Sequence, residues 1–413
     1  MFRMTAFLMA LVLVLGGSVL AGEEDGRIYG KITTTDGDVY EGLIRWDKNE
    51  ANWVDILDGS KDIPESEQRE SERSRHHDGE VSIEIFGIKI GEGSNISWNW
   101  SSSAQSGIRF GHIKVLEVID DDRVLLILKS GKEVELENGS TDIGSGIRGI
   151  LIEDKSEGEI ELDWDDLESI DFMSAESGVE SNLGKRLYGT LTTRRGEEYT
   201  GYVCWDMDEL FTTDILDGEE HNRDRKIKFG KISSIERYSS SGATITLTNG
   251  DEMILKESND VDDDNRGIII SDPGFGQVIV DWDEFDRIDF KKSSHQIGYD
   301  EFDGGQKIHG TVYTEMGDSF SGNIRWDNDE EYTWEILDGE YHDIKFDVEF
   351  GLIAKIENRS SRSSIITVKD GRTFRLRGSN DVDSDNRGIF VDTGDGDEVE
   401  IDWEDFSRVE FAN

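Results

Sequence analysis

Large apolar residues recur at steps of three, followed at once by an acid, six times along the chain. The copies are Phe110/Ile113/Leu116-Glu117, Trp164/Leu167/Ile170-Asp171, Phe229/Ile232/Ile235-Glu236, Trp282/Phe285/Ile288-Asp289, Phe350/Ile353/Ile356-Glu357 and Trp403/Phe406/Val409-Glu410. A step of three fits a single 3₁₀ turn, in which i and i+3 stack on one face, and the residues after it suit a short closing strand. Between the copies, apolar and polar positions alternate in short runs bounded by glycine, as in Gly189-Thr-Leu-Thr-Thr-Arg-Arg-Gly196 and Gly201-Tyr-Val-Cys-Trp205-Asp206. Such runs predict strands joined by tight hairpins, and therefore an all-β fold.

The copies fall into three long repeats that open at Ile28-Tyr-Gly30, Leu187-Tyr-Gly189 and Ile308-His-Gly310 and close at Phe172, Phe290 and Phe411. This predicts domains at 26–173, 186–290 and 307–413, with linkers rich in Ser, Gly and charge between them. The first repeat carries an insertion, about 60–107, whose alternating stretches Val81-Ser-Ile-Glu-Ile85, Ile88-Lys-Ile90 and Asn95-Ile-Ser-Trp98-Asn-Trp100 suit an extra hairpin. Each repeat divides again if Gly250 is laid on Gly196, Gly267–Asp272 on Gly201–Asp206, and the second apolar triplet on the first. The resulting unit of about 55 residues, with its glycine hairpins, 3₁₀ turn and closing strand, resembles the small SH3-like and Sm-like β-barrels. The resemblance implies six such barrels paired into three double-barrel domains. The RNA binding of Sm-like proteins does not come with it, because the basic, aromatic-lined loops it needs are absent.

Charge narrows the function classes. With 92 acidic against 44 basic residues, the chain has a formal charge of −48, which repels nucleic acid and anionic membrane surfaces and attracts cations. Its start, Met1-Phe-Arg3, an apolar run from Ala6 to Leu15, and small residues ending at Val19-Leu-Ala21, predicts a signal peptide over residues 1–21 and an exported protein. No later run is long enough to span a membrane. The single cysteine, Cys204, excludes an intramolecular disulfide framework.

Two loops come nearest to site chemistry. Asp260, Asp262 and Asp264 alternate in one, and Asp381, Asp383 and Asp385 in the other, with Asp392 at the twelfth position. Carboxylates at positions 1, 3 and 5 resemble the start of an EF-hand-type loop, which implies Ca2+ as the candidate ion. The loops depart from that pattern where Asn265 and Asn386 replace the turning glycine, and the other reading is of solvated loops paired with Arg266 and Arg387. Trp98 and Trp100, in the polar insertion, are candidate ligand or partner contacts. The six repeat tryptophans, each followed by an acid, are expected to pack in the core with that acid wet on the opposite face. No nucleophile elbow, phosphate loop or dinucleotide fingerprint occurs. The expectation is an exported, acidic, non-enzymatic interaction or scaffold protein whose partner is a protein or polysaccharide of the cell envelope. A Ca2+-assisted carbohydrate binder is the alternative, and an envelope hydrolase the third.

Overall fold

Every apolar triplet is buried, its residues no more than 4% exposed, and every one leads into a strand. Four begin in a 3₁₀ turn, at Phe110–His112, Trp164–Asp166, Phe229–Lys231 and Phe350–Leu352. The copies at Trp282 and Trp403 make plain turns instead. The computed structural model describes residues 26–62, 84–85, 88–89, 103–138, 140–293, 296–394 and 398–412. It is all-β, with no α-helix among the described residues. The strands form open antiparallel sheets of ten, twelve and eight strands and a two-strand ladder, Glu84–Ile85 with Ile88–Lys89, in the insertion. Residues 1–21, Trp98 and Trp100 lie outside the described residues.

The first two repeats share one strand order, and the third keeps it over eight strands, its remaining hairpin lying in the twelve-strand sheet. In the second it runs Asp224–Lys228, Ile215–Glu219, Glu252–Lys256, Gly242–Leu247, Ile232–Ser239, Phe285–Phe290, Tyr188–Thr193, Glu198–Cys204, Ile268–Asp272, Gly276–Val280. The seam at the middle joins the two strands that follow the triplets, and the third triplet residues face each other across it: Leu116 with Ile170, Ile235 with Ile288, and Ile356 with Val409. On either side of the seam lies an arm of five strands, and neither arm comes from one half of the repeat. The hairpin Ile215–Lys228 of the first half adds to the second half's strand Glu252–Lys256, while the hairpin Ile268–Val280 adds to the first half's strand Glu198–Cys204. The halves have exchanged hairpins.

This order corrects the expected alignment of halves. Ile268–Asp272 is not the counterpart of Glu198–Cys204 but its ladder partner; its counterpart is Ile215–Glu219, which likewise opens an exchanged hairpin. Gly201 marks the join, since a Cβ there would lie 2.3 Å from the Ser271 carbonyl oxygen, and Gly42 and Gly322 are as tight against Glu153 and Asp392. In the first repeat the exchanged hairpin pairs Ile56–Asp62 with Ser103–Arg109, so both edges of the insertion are strand.

The repeats are joined. Gly276–Val280 of the second pairs with Ile344–Glu349 of the third, extending the second sheet to twelve strands. The hairpin it recruits stays tied to its own repeat by the bridge between Glu340 and Arg377. The segment expected to be a linker before the third repeat is packed: Tyr299 lies 4.5 Å from Trp53, ring to ring, and donates its hydroxyl to the Ile113 carbonyl, while Phe302 covers Gly111.

Candidate functional site: buried carboxylates where the connections cross

Exchanging hairpins forces two connections of each repeat, one from each half, to cross. In the third repeat these are 326–335 and 377–388, and the same crossing occurs at 46–55 with 140–149 and at 205–214 with 257–267. The first connection begins with a tight turn in which Asp47, Asp206 or Asp327 and the residue after it are both left-handed, with φ of 39° to 70°. Asp tolerates that region better than most residues because it is short and bonds locally. The turn also ends the strand alternation, so these three aspartates are fully buried rather than wet as expected. Asp165, Asp283 and Glu404, after the other three tryptophans, are exposed as expected.

Each buried aspartate grips the second connection. Asp206 accepts from the backbone N–H of Arg266 (2.6 Å) and from its Nε (3.1 Å) and Nη2 (2.7 Å). Asp47 and Asp327 hold Arg148 and Arg387 in the same way. The grip is returned by the tryptophans: Trp46, Trp205 and Trp326 donate their indole N–H to the carbonyls of Asp142, Asp260 and Asp381 at 2.9 to 3.0 Å. The carboxylates of Asp142, Asp260 and Asp381 in turn accept from the backbone N–H of Asp58, Asp217 and Asp338 at 2.6 to 2.9 Å. Arg266 and Arg387 therefore pair with acids of the other connection, not with their own loop.

A third acid completes each crossing. Glu50, Glu209 and Glu330 stand at the same position, and in all three one carboxylate oxygen is buried without a hydrogen-bond partner. Burial first, and then the neighbouring aspartates, hold Glu50 and Glu330 well above the usual carboxylate range and push Glu209 up to about 11. Burial also raises Asp142, Asp260 and Asp327 to about 7. Oxygens of Asp327, Glu330 and Asp381 lie within 4.8 Å of one another, as do those of Asp206, Asp208 and Glu209. Two ionised carboxylates at that separation repel by about 3 kcal/mol at an effective dielectric constant near 20. A proton or a cation must relieve such a set.

No family model, curated protein or solved structure matches this chain. Its chemistry is therefore read from its own geometry. Of the loop residues singled out by spacing, Asp381 joins a three-carboxylate group and Asp260 lies beside Glu209. The others turn elsewhere. Asp262 and Asp383 accept from the N–H two residues on, in Asp264 and Asp385, which are themselves exposed, and Asp392 is exposed and accepts from Gly394. Spacing within the loops does not reach Asp327 and Glu330, nor Asp206 and Glu209, on the other connection. Their signal is the spacing Trp-Asp-x-x-Glu, present in all three repeats at Trp46, Trp205 and Trp326.

Proposed function

We propose that the protein is an exported, acidic, non-enzymatic scaffold made of tandem small β-barrels of the SH3-like kind, two per repeat, each completed by a hairpin from the other half. The observation that carries the reading is the ladder between Gly276–Val280 and Ile344–Glu349, in which the outer edge of one repeat takes up an edge of the next. A chain that assembles its own repeats edge to edge is suited to hold partners in a fixed array. The six repeat tryptophans pack edge to face in pairs, as Trp205 does on Trp282 at 6.3 Å and 85°. They offer no platform to a sugar, which leaves the carbohydrate alternative resting on Trp98 and Trp100. The three converging carboxylates of the third repeat are at most 6% exposed, which suits structure or an ion better than hydrolysis of a glycan. No helix among the described residues is long and apolar enough to cross a membrane.

The test has three arms. Mass spectrometry of the protein from its native host should find Gly22 at the N-terminus, and an intact Met1 would count against export. The immobilised full chain should retain a saturable protein or polysaccharide of the envelope. Release of sugar from that polysaccharide, abolished by one carboxylate substitution, would replace the scaffold by a hydrolase.

A further inference from the structure

We propose that the third repeat holds one hard divalent cation of the Ca2+ class between Asp327, Glu330 and Asp381. Each offers a carboxylate oxygen, and the three lie within 4.8 Å of one another, about twice the length of a Ca–O bond. They are 0%, 6% and 3% exposed, so water does little to screen them. Asp327 is satisfied by Arg387 and Asn380, and Asp381 has the Asp338 N–H on one oxygen. Glu330 is different: its Oε2 is buried and accepts no hydrogen bond, and the charges beside its carboxylate are those of Asp329, Asp381, Lys61 and Asp327. An oxygen taken out of water and given no donor is the independent sign that something absent from the polypeptide belongs there.

The charge points the same way. Asp329 lies beside the set, making four carboxylates, and the guanidinium of Arg387 is divided between Asp327 and Asp329. Lys61, reaching across from the first repeat, donates to the Asp329 carbonyl and to Glu335 rather than to Glu330. A divalent ion supplies the missing positive charge. An all-oxygen donor set, with no thiolate or imidazole, selects Ca2+ over Zn2+, and backbone carbonyls or water complete the shell. The other repeats are less suited. In the first, Asn49 stands where the third has Asp329, and in the second, Asp208 and Glu209 are only half-buried.

The experiment is calorimetric titration of the full, metal-stripped chain with CaCl2, and separately MgCl2, in 0.15 M NaCl, a medium that screens diffuse binding to so acidic a surface. One saturable Ca2+ site is expected, tighter than any for Mg2+. Glu330→Gln should weaken it at least tenfold, Glu50→Gln should not, and Glu330→Gln should melt higher than the parent in chelator while losing the Ca2+-induced rise in Tm. A parent chain without saturable binding at millimolar Ca2+ overturns the site whatever the variants do, as does binding unchanged by Glu330→Gln. If Glu330→Gln is soluble only as an unfolded chain, the carboxylate is required for folding, and Glu330→Asp then reads the site: loss of Ca2+ binding supports it and full retention overturns it.

Discussion

Replacing Asp47 by Asn tests whether the crossing connections hold the exchanged hairpins. Asp47 is fully buried and accepts from the backbone N–H of Arg148, from its Nε (3.1 Å) and Nη2 (2.9 Å), and from the Thr141 hydroxyl (2.7 Å). Asn fits the same left-handed turn, so the backbone is spared. It has one acceptor oxygen where Asp has two, and its amide must point at donors on one side or the other. Breaking a buried pair costs 3–5 kcal/mol, and because Arg148 is 28% exposed and can turn to water, the expected loss is about 3 kcal/mol. At about 2.1 cal/mol/K of unfolding entropy per residue, that lowers Tm by about 4 °C if residues 26–413, about 390 of them, melt as one. It lowers Tm by about 10 °C if the first repeat, about 150 residues, melts alone. Scanning calorimetry of the full chain reads both the loss and the size of the cooperative unit. A shift below about 1 °C, or one matched by the exposed control Glu159→Gln, would refute the argument that these bonds secure the crossing.

Phe285→Ala, in the core of the second repeat, should cost about 3–5 kcal/mol in urea unfolding. Replacing residues 63–102 by the four-residue turn Glu220–Arg223 of the second repeat should cost far less, because Ile56–Asp62 and Ser103–Arg109 then pair over a short closure. Gly276→Ala should open the ladder between the second and third repeats, since its Cβ would sit 1.8 Å from the Asp347 carbonyl oxygen; amide exchange should quicken at 344–349 and not at 398–401. Asp142, Asp260 and Asp327 titrate near 7 in the fold and near 4 unfolded. The folded state therefore binds more protons, and the stability these groups add, complete below pH 4, is lost as pH rises through 7. Tm in metal-free buffer should fall from pH 5 to pH 8, and a rise would refute it.

What the sequence disclosed, and what it hid, follows from what periodicity can say. Spacing reports which face a residue takes, so the apolar triplets were legible as core and as leads into strands. The same reasoning failed at Asp47, Asp206 and Asp327, where a left-handed turn replaces the strand and buries the acid that alternation would have exposed. Periodicity does not name a strand's partner. The hairpin exchange was hidden because the alternation of Ile215–Glu219 names no partner; in the fold it meets Glu252–Lys256, while Gly201 lies close against Ser271. One inter-repeat contact did leave a trace: Gly276-Gln-Val-Ile-Val280 is apolar on both faces where its counterpart Gly158-Glu-Ile-Glu-Leu162 alternates, as a strand buried on both sides should be. At the site, reading acids within one loop grouped Asp260 with Asp262 and Asp264. The group that forms in the third repeat draws on both connections, joining Asp327 and Glu330 to Asp381, more than fifty residues on.

Buried acid in this protein has mostly a backbone explanation, and that sharpens the exception. Connections that cross cannot join a ladder, so their N–H groups need other acceptors. Asp55, Asp214 and Glu335 each accept from two of them, at 2.5 to 2.8 Å. The same three acids then meet cations from other repeats: Arg186, Arg45 and Lys61. Asp142, Asp260 and Asp381 take one N–H each, and Asp47, Asp206 and Asp327 another. Every one of these nine carboxylates accepts from a backbone N–H, of the crossing connections or of the strand that opens the exchanged hairpin. Glu50, Glu209 and Glu330 close none with the oxygen they bury. A fold that needed only acceptors at the crossing would be served by nine acids. The tenth to twelfth, set among like charges, destabilise the bare chain, and they stabilise it only when a proton or an ion lies between them.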